Sequence, residues 1–481
     1  MDSFTRADMS TQIAPETFHL NGAVQVRDGR VSVFDESALA SDQMDGLVRQ
    51  AVFGDEAERE HARWLIWEIG QAVGVRPASI HDLYAARGRG EVSGFTVPAI
   101  NVRAATYDTA RAIFRTARRL DAGAFIFEIA RSEIAYTEQR PAEYVAVVLA
   151  AALREGFRGP VFVQGDHFQI NAKKFAADPK TETNAVKQLA TEAVHAGFYN
   201  IDIDTSTLVD LSMGSLDEQQ LRNYETAVEL TQFVRSLEPA GVTISIGGEI
   251  GEVGTENSTP EELHAFMKGY NQVLAEAAPG TAGLSKISVQ SGTSHGGVVL
   301  PDGSIADVAL DLETLRTLGE IARREYGLSG AVQHGASTLP DSAFDSFPAT
   351  ETAEIHLATN FQNMMYDHLP GGLRQEIYTW LGENAKEERK PTDTDDQFFY
   401  KARKRAIGPF KRRLWDLDAD VKARLASAYD DKFTFLFTQL AVGGTRKAVD
   451  RFVRPPEQHR PMPVDGRPAV EAAPDDATLS D

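Results

Sequence analysis

The chain contains no cysteine. That excludes a disulfide framework, a thiolate nucleophile and a Cys-ligated metal centre, so any metal must rest on His and carboxylate side chains. Basic residues are also scarce: Lys+Arg 49 against Asp+Glu 70 leave a formal net charge of −21. A surface of that sign repels phosphate backbones and anionic lipid, which argues against nucleic acid and membranes as partners. No stretch approaches the ~18 consecutive apolar residues of a membrane span. The N-terminus (MDSFTRADMSTQIAPETF) lacks the basic start and apolar run of a secretory signal, so the expected compartment is the cytoplasm. With 42% hydrophobic and 25% charged residues, 481 residues suffice for two to four domains or one barrel with additions.

Short β-rich apolar runs occupy Phe95–Asn101, Ala124–Glu128, Val161–Gly165, Tyr199–Asp204, Val242–Gly247, Lys286–Ser291, Gly330–His334 and Glu354–Ala358. Amphipathic stretches lie between them, at Tyr107–Leu120, Ala142–Arg154, Thr183–Ala196, Leu216–Leu237, Pro260–Ala278 and Leu312–Tyr326. Strand and helix alternating over this many strands predict a (β/α)8 TIM barrel. A doubly wound open sheet is the alternative, but it leaves unexplained why polar residues end nearly every strand. The barrel is expected over 93–370, with a polar arm at 1–40 and a helical N-terminal extension at 41–92. An aromatic-rich helical extension over 371–453 is expected to pack on the barrel or on a partner subunit. Residues 454–481, rich in Pro, Asp and Ala, read as a disordered tail.

Of the 11 histidines, His167, His295 and His334 directly follow predicted strands and are flanked by Gly or small residues. Strand C-termini share one face of a barrel, where its loops build the site. Neutral imidazoles converging there suit Zn²⁺ or a similar divalent ion such as Mn²⁺ or Co²⁺. Asp166 precedes His167; adjacent residues on a strand face opposite sides, so one is expected on the metal and the other toward substrate, as a proton-transferring carboxylate. Asp204, at the end of the fourth strand, is placed at the mouth as a substrate contact, with Asp202 deeper. The glycine-punctuated loop 247–257 carries Glu249, Glu252 and Glu256 and can swing an acid over the substrate. Lys286 is the only Lys in a barrel strand and falls at its N-terminal end, which argues against a Schiff base.

The ordered motifs PAIN, GDH, GGEIGEVGTEN, GTSHGG and QHGAS resemble those of class II, metal-dependent fructose/tagatose-bisphosphate aldolases. The GDH-x-x-x-N segment (Gly165–Asn171) and the long C-terminal addition are also similar to tagatose-bisphosphate aldolase accessory subunits. Metal-dependent tagaturonate or tagatose epimerases look similar in outline. The resemblance implies that His167, His295 and His334 hold catalytic Zn²⁺, with Glu249 at a second metal position or behind the first. It implies that Asp166 moves the C4 hydroxyl proton during C3–C4 cleavage of a ketose (bis)phosphate. Glu256 aligns with one of two consecutive loop acids of the aldolases, and Asn257 stands where they carry the other. Asn101 matches their PAFN strand. Glu128 replaces a small or hydroxylic residue, which suits sugar hydroxyls better than phosphate.

Gly296, Gly335, Ser337 and Thr359 fit the family's phosphate cradle. The Lys after the HG motif is missing, however, and the strand-eight Asn-x-Asp-Thr reads His356-Leu357-Ala358-Thr359. The implied function is a class II aldolase of homo-oligomeric type. A retro-aldol C4 epimerase of a ketose, ketose phosphate or uronate is the alternative. A non-catalytic aldolase subunit is a third reading, against which the full His set with Asp166 weighs.

Overall fold

The computed structural model of the chain describes residues 17–251, 256–292, 310–463 and 472–475. Strands β1 (Thr17–His19), β2 (Val24–Arg27) and β3 (Arg30–Val33) form a small antiparallel sheet. Asp28 and Gly29 join β2 to β3 with φ +52° and +72°, the left-handed pair that an Asp-Gly hairpin turn supplies. Val24, Val26 and Leu39 are buried. The described part of the expected loose arm is therefore folded. The alternation of Val24, Val26, Val31 and Val33 around Asp-Gly was the signal for it.

Helices Asp42–Phe53 and Glu56–Val73 follow, each opened by a side-chain cap from Ser41 and Asp55. They pack on helix Pro141–Arg154 of the barrel layer. Strand β4 (Val75–Ala78) then leads to the barrel.

The barrel strands are β5 (Val97–Asn101), β6 (Ile126–Ala130), β7 (Gly159–Gln169), β8 (Asn200–Asp204), β9 (Ser245–Glu249), β10 (Lys286–Ser288), β11 (Ala331–Gln333) and β12 (Glu354–Leu357). They run parallel in sequence order, and β12 pairs with β5 to close the ring. Each expected strand is present, as are the intervening helices. Strands β5, β6 and β8 are buried at every position, because helices cover the outer face and side chains fill the interior. One edge of β7 is shared: Gly159–Phe162 pair with β4, while Gln164–Gln169 pair with β8.

Beyond β12, helices Gly371–Asn384, Asp395–Ala402 and Ala419–Gln439 carry the C-terminal extension. The aromatic residues pack on the barrel of the same chain. Phe437 lies 5.5 Å from Phe125, and Trp415 stacks on Tyr107 at 6.0 Å, between ring centroids. Thr445 Oγ1 accepts from the backbone N–H groups of Gly123 and Ala124. The expected disordered tail is corrected over 454–463: this segment straps helix Glu56–Val73. The indoles of Trp64 and Trp67 donate to the carbonyls of Arg460 and Gln458 at 3.0 and 2.6 Å, and His459 Nδ1 lies 2.6 Å from Glu68. Proline-rich composition signalled lack of helix here, not lack of partners. Among the described residues no helix is long and apolar enough to cross a membrane.

Candidate active site

The site lies where β7, β8, β9 and β11 end. Its geometry begins with an irregularity in β7. The pairing register with β8 shifts between Gly165 and Phe168, and His167 takes φ +40°, a left-handed conformation uncommon for a residue with a Cβ. A bulge of this kind re-aims side chains. Asp166 and His167 therefore do not face opposite sides, as simple alternation predicts. Asp166, His167 and His334 each bring a donor atom within 4.8 Å of the others. Gly165, where a Cβ would meet the Phe168 ring at 2.4 Å, gives the bulge its room.

His167 Nδ1 lies 3.1 Å from Asp204 Oδ2 and 3.7 Å from Glu249 Oε2. Asp204 is itself fixed by Gln169 Nε2 (2.6 Å) and by the N–H and hydroxyl of Ser206 (3.0 and 2.7 Å). Burial works against its charge, but these bonds and His167 hold its carboxyl below the usual range. Burial likewise opposes a charged His167, yet the Asp166 carboxylate and the Asp204 bond hold the imidazole well above its ordinary value. Burial, with Asp204 beside it, pushes Glu249 up to about 8. His334 Nε2 is 2.9 Å from Ser288 Oγ, and its ring centroid is 4.3 Å from that of His167.

Two imidazoles, one of them oriented from behind by Asp204, supply two of the donors that a divalent ion requires, with the Asp166 carboxylate standing beside them. The residues present fit such an ion. His295 and Gly296 lie outside the described residues. Glu256 is exposed and joins no cluster of candidate ligands among the described residues. Asn101, at the end of β5, donates to Glu133 at 2.6 Å, and its own amide oxygen is buried without a hydrogen-bond partner among the described residues. Gly335, at φ +70°, opens the turn after β11. There Ser337 Oγ accepts from the N–H of Ala358 at 2.5 Å, next to Thr359 at the start of helix Thr359–His368.

Below the mouth is a charged interior that strand-end reasoning did not reach. Lys286 Nζ is 2.9 Å from Asp202, 2.8 Å from Gln164 Oε1 and 2.5 Å from Glu354. Asp202 is thus the deep acid expected, and Lys286 is enclosed by acids that keep it charged, whereas a Schiff base needs a neutral amine. Burial works against the Lys286 charge, but Asp202 and Glu354 raise its pKa. Glu128 is fully buried, with Oε2 3.0 Å from both Gln164 Nε2 and His356 Nδ1. Burial and the Asp166 charge push it up to about 8. The signal for this interior was the presence of polar residues at inward positions of four strands: Glu128, Asp202, Lys286, and Glu354 with His356.

Several solved structures resemble the chain in fold. A putative fructose-1,6-bisphosphate aldolase from Coccidioides immitis is 17% identical, with 76% of this chain and 96% of that one covered and a TM-score of 0.45. A fructose-bisphosphate aldolase from Campylobacter jejuni is also 17% identical, over 76% and 95%, at 0.45. A fructuronate-tagaturonate epimerase from Cohnella laeviribosi is 12% identical, over 90% and 94%, at 0.47. Likenesses at this level assign no substrate. No curated protein matches the sequence. The family model described as fructose-bisphosphate aldolase class-II, in contrast, matches residues 88–413. That span runs from just before β5 through the whole barrel into the C-terminal helices, and the chain accordingly belongs to the class II fructose-bisphosphate aldolase family.

Proposed function

We propose that the protein is a divalent-metal-dependent aldehyde-lyase that cleaves or forms the C3–C4 bond of a ketose or ketose phosphate. The observation that carries this reading is the bulge that brings Asp166 beside His167 and His334. His167 and His334 would hold the ion, Zn²⁺ or a similar divalent metal, with His295 as the further ligand the sequence supplies. When bound, it acts as a Lewis acid toward the ketose carbonyl. Asp166 takes the C4 hydroxyl proton on cleavage and returns it on condensation. Asp204 keeps the His167 ring in place. Asn101, Gly335, Ser337 and Thr359 surround the mouth, where they can contact the sugar chain.

A second reading, a retro-aldol C4 epimerase, uses the same steps but retains the aldehyde, turns it and rejoins the bond. It is favoured by His356 on β12 and Ala358 just past its end, where aldolases of the family carry Asn and Asp. These replacements suit a substrate with one phosphate or none.

The test is a screen of ketoses, their mono- and bisphosphates and uronates, with and without chelator. Chelator-sensitive release of a triose or triose phosphate supports the lyase, and inversion at C4 without release supports the epimerase. No turnover and no bound ion after reconstitution would overturn both. His334→Ala is expected to lose the ion. Asp166→Asn is expected to keep it and lose ~10²–10⁴-fold in turnover; near-normal rates in that variant would mean that Asp166 is misassigned.

A further inference from the structure

Two of the chain's departures from its family meet inside the barrel. Glu128 stands on β6 where the aldolases have a small or hydroxylic residue, and His356 stands on β12 where they have Asn. These positions are far apart in sequence, yet Glu128 Oε2 lies 3.0 Å from His356 Nδ1. The same nitrogen lies 3.1 Å from Asp166 Oδ1, and Nε2, on the other side of the ring, lies 2.8 Å from Glu354 Oε1. Glu354 is in turn held by Lys286, by Gln164 Nε2 at 3.0 Å and by the Tyr84 hydroxyl. The ring also lies 4.0 Å from the His334 ring between centroids, tilted by 37°. His356 is 5% exposed and Glu128 0%.

We infer that His356 is a positioning residue for Asp166, and that Glu128 and His356 form a matched pair in which each makes the other tolerable. The inference rests on the role of Asp166 proposed above. A carboxylate at the end of a strand can rotate about its last bond. A charged imidazole 3.1 Å from Oδ1, with Glu354 on its other side, attracts that oxygen without a formed hydrogen bond, so it limits the rotation and leaves Oδ2 for the substrate hydroxyl. Misplacement of a reacting group by about 1 Å costs on the order of 100-fold in rate, so the orientation matters even though His356 does not touch substrate. The pairing follows from burial. Glu128 alone would stand beside Asp166 with only the Gln164 amide as partner, and His356, which also has Asp202 at 3.7 Å, would lose the carboxylate nearest its Nδ1. Buried groups without partners are costly, whereas groups exchanged together need not be.

The test combines kinetics with crystallography. In His356→Asn, kcat is expected to fall ~10- to 100-fold, with KM within about threefold and bound metal unchanged. A wild-type kcat would overturn the inference. Glu128→Ser is expected to lose rate as well. The double variant E128S/H356N, which restores the family's residue types, should lose much less than the product of the two single losses; simple multiplication would overturn the pairing. If His356→Asn does not fold, His356→Gln takes its place in the cycle. Crystal structures of wild type and His356→Ala provide a readout independent of substrate. A rotated Asp166 carboxylate supports the inference, and an unmoved one overturns it whatever the reaction. If the wild-type protein turns over no ketose, the proposed function fails, and the crystallographic comparison alone decides this point.

Discussion

Replacing Lys286 with Met tests the charged interior most directly, because the side chain is nearly isosteric and only the ammonium is lost. Lys286 is 0% exposed and is the cation shared by Asp202 and Glu354. Removing one partner of a buried ion pair costs ~3–5 kcal/mol, since the other charge stays behind. The Glu354 carboxyl points the same way. Burial would raise it, but Lys286 and His356 bring it from 4.5 down to about 2. At ~1.4 kcal/mol per unit that is on the order of 3 kcal/mol for Lys286, His356 and Gln164 together, net of burial. For a protein of this size, at the low end of ~2–4 °C per kcal/mol, the expected fall in Tm is ~6–10 °C near neutral pH.

The deficit should depend on pH. Without Lys286, one of the two acids can take up a proton, and Asp202, raised to about 6 by burial, is the readier. Thermal or urea unfolding of K286M should therefore show a smaller loss near pH 5.5 than near pH 8. K286M/E354Q, which removes both partners, should recover part of the loss. A Tm within about 2 °C of wild type at pH 8, or an equal deficit at both pH values, would refute the ion-pair account.

The remaining expectations concern other parts of the molecule. Glu128 holds its proton up to about 8 in the folded chain, against 4.5 for the ordinary side chain, because of burial and then Asp166. Its contribution to stability is present below about pH 4.5 and lost as pH rises through about 8. E128Q lacks that slope, so its stability should gain on wild type across this window; parallel profiles would show that Glu128 ionises freely. Truncation after Val453 removes the carbonyl partners of both indoles. It should lower the Tm by several degrees, at ~1–3 kcal/mol per buried group left unpaired, and shift tryptophan emission to the red. Unchanged emission would mean that the strap does not cover Trp64 and Trp67.

The barrel was legible because its strands are short apolar runs ending in polar residues, with amphipathic spacers of helical period. The same pattern placed Asp166, His167 and His334 at one mouth. Alternation along a strand predicts side-chain direction only while the backbone stays regular, so the bulge at His167 reversed the expected separation of Asp166 from His167. The interior of Lys286, Glu354, His356 and Glu128 was hidden for another reason. Its members are contributed by strands distant in sequence, and each read alone is an oddity at one position. Their meaning lies in the pairing, which only closure of the ring creates. The N-terminal hairpin was different: its Asp-Gly turn and alternating valines were present and outweighed by the polar composition around them.

The division of one β7 edge between β4 and β8 bears on how far the catalytic portion is autonomous. A fragment cut at residues 93–370 would keep all eight strands of the ring but leave the backbone of Gly159–Phe162 without the partner that β4 provides. An uncovered strand edge is a template for another chain. Such a fragment is expected to self-associate, and the shortest well-behaved version should begin before Val75. The segment preceding the barrel is, in hydrogen-bonding terms, a ninth stave driven in at the base, so gain or loss of that segment cannot be neutral for the fold that contains it.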